Sequence, residues 1–366
     1  MALLFLLILF LCSFLLTMFF TVRIARFSIR VGFLDHPGGR KSHPAPVPLG
    51  GGLAIGGAFM SVALLGLLGG FLHHEHRMLD FLPPAVAASL LHLFEEAPRV
   101  LLLLCGALVI MILGLIDDRY SLPPRVKLFV QTLVATGFVV GVDRLELFVT
   151  GDPIAGVAAS VATVAWMVLI MNAFNLLDHF DGLSCGVAAI IALSLLIPAI
   201  QSGQFLMAST LAAFCGCSAA FLVYNFPPAT IFLGDTGSLL IGYAIAAVTI
   251  LFTFYERPAP AHTWLAPLAV LAVPLFDVIS VVRIRLREGR SIFEADRSHF
   301  AHRLSALGLR PRHVLLVVYA LTLCSGIGGF LLSSVDGAGA LLIMAQIVLM
   351  LLIVSVFLAV TDHGTR

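Results

Sequence analysis

Residues 171–186 read MNAFNLLDHFDGLSCG. The stretch closes an apolar run, yet Asn172, Asn175, Asp178 and Asp181 place a polar group at every third position before the break at Gly182. On a continuous helix these four drift by about 60° per step, so they share a broad face. Gly182 is expected to end that helix. Two amides and two carboxylates at the border of an apolar segment have to be explained by what surrounds them.

The surroundings are lipid. The chain of 366 residues is 60% hydrophobic and 11% charged, with a mean hydropathy of +1.08, whereas soluble domains are nearer half apolar and a quarter charged. A bilayer core takes about 20 apolar residues per helix. Candidate spans fall near 2–22, 49–71, 100–116, 127–142, 154–172, 183–200, 204–224, 236–253, 263–282, 313–332 and 337–360. The expectation is an all-α polytopic integral membrane protein of about eleven transmembrane helices, one domain over 1–366. The opening MALLFLLILFLCSFLLTMFF has no basic residue before it, exceeds a signal-peptide core and is followed by arginines, so it is read as a retained first helix. The six cysteines lie in or beside apolar runs without a CxxC pair, which disfavours disulfide and zinc readings. A net charge of +1 gives no sign of a nucleic-acid partner.

Lys and Arg placement sets the expected orientation. All but Arg77, Arg99, Arg144 and Arg257 of the 21 basic residues fall in odd-numbered loops or the C-terminal tail. Those loops are expected to be cytoplasmic. Each of the first five odd loops also carries an unusual polar sequence: LDHPGGRKSHPAPVPLGGG (34–52), LIDDRYSLPPRVKL (115–128), NAFNLLDHFDGL (172–183), YNFPPATIFLGDTGSL (224–239) and FEADRSHFAHRL (293–304). The even loops hold nothing comparable. One composite site on the cytoplasmic membrane surface is the economical reading. In it Asp178 and Asp181 meet Asp117, Asp118 and Asp235, and such carboxylates repel unless a cation neutralises them. Hard oxygen donors suit Mg²⁺ or Mn²⁺. Lys127 and the pair His302–Arg303 suit phosphate oxygens. Metal, phosphate-binding cations and adjoining lipid point to phosphoryl chemistry on a lipid substrate.

The motifs GLIDDRYSLPPRVKLFVQ, NAFNLLDHFDGLSCG and NFPPATIFLGDTGSLLIG resemble those of the polyprenyl-phosphate N-acetylhexosamine-1-phosphate transferases, glycosyltransferase family 4, over roughly residues 20–310. RKSHPAPVPLGGGLAI resembles the GlcNAc-1-phosphate branch more than the muramoyl-pentapeptide branch. The resemblance implies transfer of N-acetylhexosamine-1-phosphate from a UDP-sugar to undecaprenyl phosphate with release of UMP. It implies Mg²⁺ as cofactor, an inner-membrane location and a place at the first membrane step of a cell-envelope polysaccharide, with a homodimer as a candidate assembly. By the same resemblance Asp117, Asp118, Asp178 and Lys127 are the catalytic candidates, and Asn175 and Asp235 the metal contacts. Asp181 and Phe232 are assigned to uracil, and Asn172, Asn225, His299, His302 and Arg303 to substrate. Two departures stand out: Asp178-His179-Phe180-Asp181-Gly182 where the family often reads Asp-Gly-Leu-Asp-Gly, and Ala301 within a histidine motif.

Plainer readings exist. Asp117–Asp118 alone would serve as a helix cap, and Asp277 as support or cap. FLHHEHR (71–77) looks like a metal tract on the opposite face, PAVAASLLHLFEEA (84–97) like an interfacial helix, and the pairs Gly52/Gly56 and Gly66/Gly70 like helix-packing spacings. The rivals in function are a muramoyl-pentapeptide-type donor, a catalytically reduced family member acting in assembly, and a secondary transporter. Transporter sites sit near mid-membrane, whereas these carboxylates sit at span ends.

Overall fold

The computed structural model describes residues 2–37, 45–76, 82–143, 153–252, 261–291 and 299–364. Of the charged residues weighed above, Arg40, Lys41, Arg77, Arg144, Arg257, Asp296, Arg297 and Arg366 lie outside them.

The described chain is helical apart from one short ribbon. The helices are α1 (Ala2–Val31), α2 (Gly51–His76), α3 (Pro84–Glu95), α4 (Ala97–Tyr120), α5 (Pro124–Gly141), α6 (Pro153–Leu177), α7 (Leu183–Gln201) and α8 (Phe205–Asn225). They continue with α9 (Gly234–Leu251), α10 (Ala266–Val270), α11 (Ala272–Arg287), α12 (Phe300–Ala306), α13 (Pro311–Leu331) and α14 (Gly337–Gly364). Among the described residues nine helices are long and apolar enough to cross a membrane, and the pair bent by 69° at α10–α11 makes a tenth. Helix α5 coincides with the predicted segment 127–142, with Arg125 and Lys127 in its first turn. The chain is a multi-pass membrane protein.

Burial separates hub from rim. In α9, 78% of the apolar window is buried inside the protein, against 17% in α1 and 11% in α14. Leu341, Leu342 and Leu349 of α14 face outward, as lipid-facing leucines can without cost. Helix α9 packs against α2, α4, α6 and α7. The contact with α2 is backbone to backbone: a methyl group at Gly52 would lie 2.2 Å from the Gly237 nitrogen. Gly56, one turn on, faces Met111 and Leu240, and Gly70 abuts the Leu90 carbonyl of α3. The small-residue spacings are therefore packing surfaces.

The ribbon pairs β1 (Leu34–Asp35) antiparallel with β2 (Val47–Pro48). It hands the chain to α9's entry: the Phe232 N–H donates to the Pro48 carbonyl (2.9 Å), and the Gly51 and Gly52 N–H groups donate to the Phe232 and Leu233 carbonyls (3.0 Å each). The first and fourth polar stretches thus meet at the base of α9.

Candidate active site

The second polar stretch enters through the end of α4. Ser121 takes a left-handed conformation (φ 50°) and Pro124 opens α5, so the chain reverses in four residues. Proline at the first helical position needs no N–H partner. Asp117 is held in this turn by the Leu122 N–H (2.6 Å). Its other oxygen accepts from Lys127 Nζ at 2.5 Å, and the same ammonium reaches Asp235 Oδ2 at 3.2 Å. One cation therefore serves two carboxylates.

Asp118 does something else. Its Oδ1 accepts from the Asp235 N–H (2.7 Å), and its Oδ2 from the Thr236 N–H (3.1 Å) and hydroxyl (2.6 Å). Three donors fasten it to the first turn of α9, where a carboxylate is also favoured by the helix dipole. Gly234 makes this possible: its φ is +72°, and a side chain there would run into the Asp118 carboxylate, 2.6 Å from a methyl position.

Helix α6 ends earlier than the continuous-helix reading expects. Its last residue is Leu177, so Asp178 and Asp181 lie in the turn and not on the helical face that carries Asn172 and Asn175. The reason is local. The Asp178 N–H bonds back to the Asn175 carbonyl (3.3 Å), and His179 Nδ1 lies 2.8 Å from the Leu176 carbonyl oxygen, capping the helix end. Gly182 does use the left-handed region (φ +77°), but as the entry to α7.

The turn still delivers its groups to the cluster. Asn175 Nδ2 donates to Asp235 Oδ1 (2.7 Å) and Ser238 Oγ (3.1 Å). Burial first, then the carboxylates of Asp235, Asp118 and Asp181, push the Asp178 carboxyl well above its ordinary range, against a lowering hydrogen bond from the Gly234 backbone. Asp181 Oδ2 accepts the Ala229 N–H (3.0 Å), at the loop that leads to the part-buried Phe232. Asn225 is buried and bridges the Gly182 N–H (2.9 Å) and the Ile231 carbonyl (3.0 Å), so its amide ties the two polar loops together. Asn172 faces away, to Gln131 Oε1 (2.6 Å) and the Val168 carbonyl (2.7 Å).

The histidines gather beside this cluster. Buried His299 places Nδ1 2.9 Å from Asp277 Oδ2, and the Phe300 N–H donates to the other oxygen at 2.7 Å. Asp277 thus supports the entry to α12. The rings of His299 and His302 lie 4.2 and 4.7 Å from that of His179. Arg303, on α12, is part-buried.

Several participants carry no strong signal in sequence. Thr236 and Ser238 hold Asp118 and Asn175, and only their place in GDTGS hints at it. Tyr319 donates to the Gly182 carbonyl (2.6 Å) from α13, well away from any motif. The FLHHEHR histidines that are described lie at the far end of α2. A cavity of about 870 Å³ among α2, α3, α4, α8 and α9, lined by Phe59, Leu103, Phe214, Tyr243 and Val248, holds none of the candidate residues.

The family model "Glycosyl transferase family 4" matches residues 100–253, which contain α4 to α9 and the oxygen cluster. A protein of Bacillus subtilis (strain 168), named as a probable undecaprenyl-phosphate N-acetylglucosaminyl 1-phosphate transferase, is 32% identical over 329 residues, 89% of this chain and 84% of that protein. The decaprenyl-phosphate N-acetylglucosaminephosphotransferase of Mycobacterium tuberculosis (strain ATCC 25618 / H37Rv) is 32% identical over 83% of this chain and 76% of its own length. The undecaprenyl-phosphate alpha-N-acetylglucosaminyl 1-phosphate transferase of Yersinia pestis is 28% identical over 86% and 81%. With a family model matched over the central helices and a relative 32% identical over most of both chains, the chain belongs to glycosyl transferase family 4, the polyprenyl-phosphate N-acetylhexosamine-1-phosphate transferases.

Proposed function

We propose that this protein transfers GlcNAc-1-phosphate from UDP-GlcNAc to a polyprenyl phosphate, undecaprenyl phosphate in the first instance, and releases UMP at the cytoplasmic face of the inner membrane. The observation that carries the reading is the convergence of Asp117, Lys127, Asn175, Asp178 and Asp235 from four different helices and their turns at one end of the bundle. The names of the matched relatives supply the sugar and the lipid class.

In the reaction a lipid phosphate oxygen attacks the sugar-linked phosphorus, the bond from that phosphorus to the UMP oxygen breaks, and UMP departs. Lys127 stands between Asp117 and Asp235, where an ammonium can hold phosphate oxygens in line. Asp117, next to that ammonium, is the candidate to take the proton of the attacking lipid phosphate. Asp118, occupied by three donors from α9, positions Asp235 instead. Asp181 and Phe232 flank the loop assigned to uracil, a carboxylate accepting the N–H and a ring for stacking. Asp178, Asp235 and the amide oxygen of Asn175 form an all-oxygen donor set, which fits Mg²⁺ or Mn²⁺. When bound, the ion supplies neutralisation of the diphosphate and of charge growing on UMP.

The test is release of labelled UMP from UDP-GlcNAc by purified protein, with and without undecaprenyl phosphate and with Mg²⁺ or chelator. Acceptor-dependent release supports the reading. Preferred turnover of UDP-MurNAc-pentapeptide moves the chain to the other branch, and no release with any UDP-sugar overturns the assignment. For the orientation, single cysteines at Ser121 and Gly289 should label only from the cytoplasm and one at His74 only from outside.

A further inference from the structure

The turn after α6 has a second face that the reaction above does not use. His179 Nδ1 lies against the Leu176 carbonyl oxygen at 2.8 Å, so that nitrogen carries the proton and the lone pair sits on Nε2. Nε2 is buried and has no hydrogen-bond partner. A buried, unpaired acceptor is unfavourable, and it faces company: ligand atoms of His179, Asp277 and His299 all lie within 4.8 Å of one another.

We propose that His179, His299 and Asp277 form a binding site for a late divalent transition metal of the Zn²⁺ type, separate from the oxygen cluster. The donor chemistry differs in kind. Imidazole and one carboxylate favour zinc, copper or cobalt, whereas the carboxylates and amide oxygen on the other face favour magnesium. The three ligands are gathered but not yet closed on an ion. A backbone carbonyl on Nδ1 with Nε2 left for an ion is a common way in which proteins fix a ligating histidine. Neighbouring donors of a tetrahedral ion sit about 3.4 Å apart when each is about 2.1 Å from it. Closing from within 4.8 Å requires rotation of the stacked rings and shifts on the order of 1.4 Å, within side-chain reach. The ion joins the α6–α7 turn, α11 and the residue that caps α12. It would clasp α12 to the turn that presents Asp178.

The experiment uses full-length protein without a polyhistidine tag, carrying His73→Ala, His74→Ala and His76→Ala to remove the other histidine-rich tract. After chelator treatment and dialysis, Co²⁺ is titrated and read by its visible d–d absorption and by metal-to-protein ratio. The expected result is one Co²⁺ per chain, displaced by Zn²⁺ and not by a large excess of Mg²⁺. The band should vanish in His179→Phe, which keeps a ring in the packing, and persist in Asp235→Asn. No band in the parental protein overturns the proposal whatever the variants do. Persistence in His179→Phe also overturns it, as does loss in Asp235→Asn, which would put the ion on the oxygen cluster.

Discussion

Asp178 and His179 are adjacent in the chain and belong to opposite electrostatic regimes. On one side stand Asp117, Asp118, Asp178, Asp235 and Asn175, with Lys127 as their bonded cation. On the other stand His179, His299 and His302 with Asp277. On the oxygen-rich side burial, and then the neighbouring carboxylates of Asp235, Asp118 and Asp181, push the Asp178 carboxyl well above its ordinary range. The nitrogen-rich side resists charge instead: burial, and then His299, push the His179 imidazole down to about 3. A partly dry pocket must balance charge locally, because interactions there are strong and water is scarce. A single irregular turn lets two consecutive side chains answer to two different balances, which a continuous helix would not have done as sharply.

The comparison breaks most visibly at the oxygen cluster. Asp178→Asn and Asp235→Asn remove charge where it counts most, and each should lower kcat by roughly 100-fold or more, the scale of losing a main transition-state contact. Near-wild-type kinetic constants for both, in folded detergent-purified protein, would remove the metal assignment.

The next largest effect separates the two neighbouring aspartates. In Asp118→Asn an amide N–H₂ has to face donors from Thr236 or Asp235. The expected loss is roughly 1.5–3 kcal/mol of stability, the range for charge-assisted hydrogen bonds, seen as a lowered melting temperature. Asp117→Asn, whose partners are one N–H and Lys127, should lose activity with less change in melting. Identical thermal behaviour of the two would cancel the distinction between positioning and chemistry.

A smaller effect is expected at the nucleotide end. Asp181→Asn should raise KM for UDP-GlcNAc about tenfold, a 1.4 kcal/mol effect, with a smaller fall in kcat, because an amide accepts a uracil N–H less well than a carboxylate. A kcat loss exceeding the KM rise would move Asp181 into the chemical step.

The smallest effect belongs to the nitrogen side. His179 titrates near 6.5 when unfolded and near 3 when folded. Above pH 6.5 it is neutral in both states. Between pH 6.5 and 3 the unfolded chain takes up a proton that the folded chain refuses, so stability falls as pH drops through that window. The groups facing it are His299, His302 and Asp277. Measured in chelator, the melting temperature of the parent should fall more steeply from pH 7 to pH 5 than that of His179→Phe. Parallel slopes would mean that His179 is not held neutral.

Much of this was legible in the residues alone. The apolar spans and the polar stretches between them follow from hydropathy and from where Asp, His and Gly fall, which are local properties. The position of Asp178 relative to α6 was not, because the helix end depends on the His179 ring reaching the Leu176 carbonyl. Nor was the division of labour between Asp117 and Asp118. Identical side chains one residue apart point about 100° apart on a helix, and what each meets depends on α5 and α9, whose residues lie 10 and more than 100 positions away. Sequence by itself determined which chemical groups the protein owns and which segments enter lipid, since partition into lipid acts on each segment separately. Only the packing of α9 against α4 and α6, of α5 against α4 and of α11 against α6 decided which carboxylate meets Lys127, which one anchors α9, and that His179 stands beside His299 and Asp277, because those pairings exist only once the helices touch.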